Sequence, residues 1–178
     1  MVRKMYHTQE KRDKKLTKPV LCKREDAWLG TGYYFWHDIV DAHMWGKKSK
    51  TATKEYEIYV ADIDCENVID TVFDEKKYFW WVEQIEFAAK ELRKLRSTNK
   101  KPTLKQLNEF IRKSPNWETV AGILFQDIPE SHDYSVIAPL ETSSGQKYFA
   151  YKKRIQLALY HSDCLKNFKL SVTEKCKK

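Results

Sequence analysis

The sequence lacks any continuous apolar run of the roughly 20 residues needed to cross a bilayer. Its opening, Met1-Val2-Arg3-Lys4-Met5-Tyr6-His7, also lacks the apolar core of a signal peptide. A cytoplasmic protein with no membrane partner is therefore expected. The four cysteines, Cys22, Cys65, Cys164 and Cys176, form no C-x-x-C pair, and no histidine stands beside them at zinc spacing. Reduced thiols and no metal site are expected. Neither an internal repeat nor a low-complexity segment is present, which sets aside a solenoid or an extended disordered chain.

What is there is aromatic and basic. Of 178 residues 42% are hydrophobic and 13% aromatic, with six Trp, ten Tyr and eight Phe, so a single domain over residues 1–178 can bury a core built more from rings than from aliphatics. The 33 Lys and Arg exceed the 25 Asp and Glu, leaving a formal net charge of +8. That balance favours a polyanionic partner, RNA or DNA before a membrane.

The most informative stretch is Trp28-Leu29-Gly30-Thr31-Gly32-Tyr33-Tyr34-Phe35-Trp36, followed by Ala42 and Trp45-Gly46. Two glycines one residue apart allow a close backbone approach that a Cβ would block, and the aromatics behind them are too large and apolar to leave in water. Two readings fit. One is a pocket that receives a flat ligand; the other is a glycine-punctuated turn leading into a buried aromatic strand.

Around this block the chain divides by pattern. Residues 9–26 are crowded with Lys and Arg and read as a solvated loop or ragged helix. Lys47, Lys48, Lys50 and Lys54 form a second basic cluster, of which Lys47, Lys48 and Lys50 are the candidates for nucleic-acid phosphates. Glu55 to Ile63 alternates like a strand, and Asp64 to Phe73 reads as a short connection. From Lys77 to Arg96, Val82, Ile85, Ala88 or Ala89, Leu92 and Leu95 recur at threes and fours, which predicts an amphipathic helix. Thr103 to Gln106 has the capping-box pattern, and Leu104, Leu107, Phe110 and Ile111 stripe the next helix until Ser114-Pro115-Asn116 stops it. Strands are predicted at Ala121 to Phe125, Tyr134 to Ala138, Tyr148 to Tyr151 and Ile155 to His161, with a basic patch Lys152-Lys153-Arg154 between the last two and a frayed tail from Thr173.

Taken together, His7-Thr8 on a first strand, Gly30-Thr31-Gly32-Tyr33-Tyr34-Phe35-Trp36, Ala42 and Trp45 in the helix after it, and Arg154-Ile155-Gln156-Leu157 near the end resemble the ADP-ribosyltransferase fold family. The likeness is closest to bacterial or phage members of toxin or defence type, and it spans most of the chain. It implies an α+β fold in which a split antiparallel sheet surrounds an NAD cleft, with residues 77–113 as a two-helix insertion outside that cleft. It also implies an NAD-dependent transferase, NAD serving as substrate, that modifies a macromolecule such as RNA or DNA and is held in check by an antitoxin protein.

Residue by residue, the resemblance makes His7, Tyr34 and Gln156 catalytic. His7 holds a ribose hydroxyl, Tyr34 stacks on nicotinamide and Gln156 hydrogen-bonds ribose, on neighbouring strands with Tyr34 at the rim between them. Thr8, Gly32 and Trp36 join His7 and Tyr34 in binding NAD. Nicotinamide departure leaves an oxocarbenium-like ribose, for which orientation matters more than a strong base. Two positions differ from the family's usual pattern. No glycine separates His7 from Thr8, and the third position is glutamine instead of glutamate; glutamine hydrogen-bonds a hydroxyl but takes up no proton near neutrality. Glu141 is an alternative carboxylate. Without the resemblance, His7 reads as a satisfied histidine, Tyr34 as core, Gln156 as the polar side of a strand, and Trp36 and Trp45 as packing. A non-catalytic module that grips a single strand with basic and aromatic residues is then the competing function.

Overall fold

The computed structural model describes residues 1–50, 52–95, 101–127, 140–147 and 153–176. It is a mixed α+β protein built on a seven-stranded sheet, with three α-helices among the described residues. The strands are β1 (Val2–Glu10), β2 (Tyr33–Trp36), β3 (Glu55–Asp64), β4 (Val68–Asp70), β5 (Gly122–Asp127), β8 (Arg154–Leu159) and β9 (Leu165–Lys175), arranged β4-β5-β8-β2-β1-β3-β9. All neighbours are antiparallel except the β4–β5 pair. A separate hairpin joins β6 (Leu140–Thr142) to β7 (Gly145–Lys147).

Period-two alternation sorts the side chains of β5, β8 and β2 onto two faces. Phe35, Leu124 and Leu157 enter a core with Met5, Ala61 and Ile63 on one side. Ile123, Phe125 and Ala158 lie on the other, under α2 (Glu75–Leu95) and α3 (Leu104–Ile111). A third core forms where α1 (Ile39–Ser49) packs Ala42 over Trp36, Tyr56 and Ile58.

The helix ends follow local rules. Asp38 caps α1 by accepting from the Val40 N–H at 2.8 Å, and Lys47 and Lys48 occupy its last turn, where cations complement the helix dipole. Thr103 and Gln106 form the expected capping box on α3.

Several expectations are corrected. Gln156 and His7 are not on adjacent strands, since β2 lies between β8 and β1. The connection after Asp64 contains β4, whose parallel pairing with β5 no local pattern announces. The tail is ordered further than expected: Thr173 and Lys175 pair with Glu57 and Glu55 in the β3–β9 ladder. In α2 the buried side is rotated, so that Trp80, Trp81, Ile85, Ala88, Ala89 and Leu92 reach the core while Leu95 is 72% exposed. The strands expected at 134–138 and 148–151, and residues 97–100, lie outside the described residues, as does the side chain of Glu141.

Candidate active site

The site forms where the sheet opens. Strands β1 and β2 share one ladder pair, Tyr6 with Trp36, and the ladder does not continue to Thr8 or Gln9. The His7 imidazole sits at that opening, and its Nδ1 lies 2.9 Å from the Tyr34 carbonyl oxygen. A carbonyl only accepts, so Nδ1 carries the proton. Nε2 is then the lone-pair nitrogen, and it accepts from the Val20 N–H at 3.2 Å. Burial pushes the His7 pKa down to about 4, with the nearby cations Lys50 and Arg12 acting in the same direction and the bond to Tyr34 opposing it. The ring is neutral at pH 7.

These contacts pin a strap, residues 11–32, over the part of the β1–β3 pair where His7 and Tyr59 are ladder partners. The Leu16 N–H donates to the Tyr59 hydroxyl at 3.0 Å, and that hydroxyl donates to Glu57 Oε2 at 2.7 Å. Val20 is tied to His7, and Cys22 bridges to Gly32. Between strap, sheet and α1 lies a cavity of about 360 Å³. Its lining includes His7, Thr8, Tyr34, Trp36 and Gln156, together with Lys50, Trp45 and Phe125. The three residues assigned catalytic roles all border this cavity, although the His7 ring packs against Phe35 and Phe168, on the sheet face opposite Trp36 and Gln156. Its volume lies near the lower end of the range for small-molecule sites.

Each wall has a physical cause. Gln156 pairs in register with Trp36 on β2 and Phe125 on β5, so these three side chains point the same way. Among the described residues no hydrogen bond engages the Gln156 side chain, which leaves an amide with both donor and acceptor capacity facing an aromatic-walled space. The Tyr34 hydroxyl is committed to the Gly30 carbonyl at 2.9 Å, and burial raises its pKa, so it is a neutral ring wall and not an acid or base. Thr8 Oγ1 donates to the Ala42 carbonyl at 3.0 Å and fixes α1 against β1.

The glycines approach protein, not cavity. Gly30 has φ +85°, a left-handed conformation that favours glycine, and a Cβ on Gly32 would stand 2.9 Å from the Leu159 carbonyl oxygen. Neither residue is part of the lining, so Gly32 serves the turn behind Tyr34. Helix α3 holds that turn from outside: Arg112 donates to the Thr31 carbonyl at 2.9 Å, and Lys105 donates to the Arg24 carbonyl at 3.2 Å.

The basic residues separate. Lys50 is half-buried in the lining, and burial lowers its pKa, whereas Lys47 and Lys48 are exposed on α1 away from the cavity. Arg24 lines the cavity, but Asp26 binds its guanidinium at two atoms. The sequence placed Arg154 in a basic patch with Lys152 and Lys153 and in the Arg154-Ile155-Gln156-Leu157 motif, but assigned it no role in the site. Arg154 is buried, lies 4.8 Å from the Trp36 ring centroid, and pairs with Asp127 at 3.5 Å and Asp41 at 3.8 Å. The signal was its phase: Arg154 shares the face of Gln156 and Ala158 on β8. No metal-holding group of His, Cys, Asp and Glu occurs among the described residues, and no described helix is long and apolar enough to cross a membrane. Compared with protein-family models, curated proteins and solved structures, the chain matches none.

Proposed function

We propose that the protein is an ADP-ribosyltransferase that consumes NAD and transfers ADP-ribose to a macromolecule, with nucleic acid the acceptor favoured by its charge. The observation that carries the reading is the meeting of His7, Tyr34 and Gln156 in one aromatic-walled cavity beside the opening between β1 and β2.

In this reading nicotinamide lies against the Tyr34 ring, whose backbone carbonyl His7 holds in place. The bond from the ribose anomeric carbon to the nicotinamide nitrogen breaks, and its electron pair leaves with nicotinamide. The Gln156 amide oxygen then accepts from a ribose hydroxyl and stabilises the growing positive charge. A nucleophilic oxygen or nitrogen of the acceptor forms the new bond to that carbon and releases its proton to solvent, because glutamine takes none. His7 can hold a ribose hydroxyl only if Nε2 exchanges the Val20 N–H for it, so substrate entry displaces the strap near Val20. Lys50, in the cavity lining, would supply a cation for an NAD phosphate.

The test is mass spectrometry of free nicotinamide after incubating the purified protein with NAD alone and with RNA, DNA or cell lysate. Nicotinamide release coupled to acceptor labelling supports transfer. A second reading, a non-catalytic single-strand binder, is favoured by Trp28, which lines the cavity beside Lys23 and Arg24 yet remains 42% exposed. It predicts salt-sensitive binding of single strands with no nicotinamide released.

A further inference from the structure

Helix α2 is long, aromatic and poorly covered. Of its 21 residues only Ala88 is buried, and its core-facing side is already supplied by Trp80, Trp81, Ile85 and Leu92. The opposite side carries a second apolar pair, Phe79 at 54% and Phe87 at 57% exposure. Phe79, Glu83, Glu86, Phe87, Lys90 and Lys94 recur at threes and fours and share one stripe of about 100°. Lys76 opens the stripe one turn before Phe79; from Phe79 on, the stripe is acidic in its first half and basic in its second.

We propose that this stripe is a homodimer interface, α2 of one copy lying antiparallel on α2 of a second about a twofold axis between Glu86 and Phe87. The sequence is self-complementary about that point. Glu83 and Lys90 stand equally far from it, about 5 Å along the helix, so each Glu83 faces Lys90 of the other copy. Phe79 and Lys94 are also equidistant, at about 11 Å. The Lys94 ammonium is drawn to Glu91 at 2.6 Å, which leaves its aliphatic stem to cover the facing Phe79 ring. The two Phe87 rings meet near the axis. A parallel pairing would set Glu83 on Glu83 and Lys90 on Lys90, and a polyanion would meet two carboxylates among the three ammonium groups. The two Glu86 carboxylates also come together near the axis, on the edge opposite the Phe87 pair, so the two Glu83–Lys90 pairs carry the charge complementarity and outweigh one like-charge contact.

Sedimentation equilibrium on the full chain tests this, whatever the catalytic activity. The wild type should dimerise at tens of micromolar or below. Phe87→Glu should be monomeric with an unchanged circular dichroism spectrum. Glu83→Lys and Lys90→Glu should each weaken the dimer at least about tenfold, because each sets two like-charge pairs across the axis. The double variant should recover it, and the two single variants should pair when mixed. A wild type that stays monomeric to about 200 μM, a scale far above a useful dimer constant, overturns the proposal. So does a dimer indifferent to Phe87→Glu, or charge reversals that neither the double variant nor mixing restores.

Discussion

At the scale of the residue, His7 is the hinge of the site, and its protonation state is readable from its two partners. A neutral ring donates to Tyr34 and accepts from Val20; a protonated ring would set a second N–H against the Val20 donor. The pKa is 6.5 in the unfolded reference and about 4 when folded. Between those values the unfolded chain binds the proton and the native chain does not. Stability is therefore full above pH 6.5 and falls as the pH drops toward 4, by about 3 kcal/mol in all. Urea unfolding at pH 7, 6 and 5 should show this slope in the wild type. It should be largely absent in His7→Asn; equal slopes in both would show that other groups govern the acid limb. Gln156→Glu probes the site's other departure. A carboxylate would meet developing ribose charge better than an amide, so turnover in NAD cleavage should rise while KM changes little. A higher KM with unchanged turnover would mean that Gln156 contributes uniform binding only.

At the scale of the element, close approach decides which positions tolerate change. Gly46 in α1 faces the fully buried Tyr56, and a Cβ there would stand 2.3 Å from the ring. Tyr56 cannot swing aside freely, since its hydroxyl is bonded to His43 at 2.9 Å. Gly46→Ala should thus cost about 2–3 kcal/mol despite alanine's better helix propensity, as overpacked cores do. Chemical denaturation measures it, and a stabilised variant would show that α1 shifts away from β3 at little cost. The same scale shows what local patterns could reveal. Thr103 and Gln106 announced the start of α3 because a capping box is complete within four residues. The aromatics of Tyr33–Trp36 allowed either a pocket or a buried strand, and the segment is both, a strand whose Tyr34 and Trp36 line the cavity. By contrast β4 is three residues long and exists through its pairing with β5, more than fifty residues away, and β9 depends on β3 in the same way. The strap of residues 11–32 was visible only as charge, since what fixes it, the Val20 bond to His7 and the Leu16 bond to Tyr59, lies in the tertiary fold.

At the scale of the whole molecule, the excess positive charge and the cavity separate into two roles. Lys47 and Lys48 stabilise the end of α1 and remain open to solvent, while Lys50 turns inward. If single-stranded RNA or DNA is the acceptor, replacing Lys47 and Lys48 by Ala should reduce the slope of log affinity against log salt by about 1.4, equally for every sequence tested. A lost preference for one sequence at unchanged slope would place base reading, not phosphate contact, at these lysines. The resemblance implied that His7, Tyr34 and Gln156 meet, with His7 and Gln156 on neighbouring strands; all three border the cavity, but β2 lies between β1 and β8, a strand order no local pattern announces. The central claim is that this cavity cleaves NAD. The most direct measurement is nicotinamide release by the wild type and by Gln156→Ala, with unfolding midpoints compared to show that both are folded. The wild type should release nicotinamide in the presence of an acceptor, and Gln156→Ala should be slower by about ten- to a hundredfold, the loss of one hydrogen bond that strengthens in the transition state. Equal rates in the two proteins, or no release by the wild type with any acceptor, would contradict it.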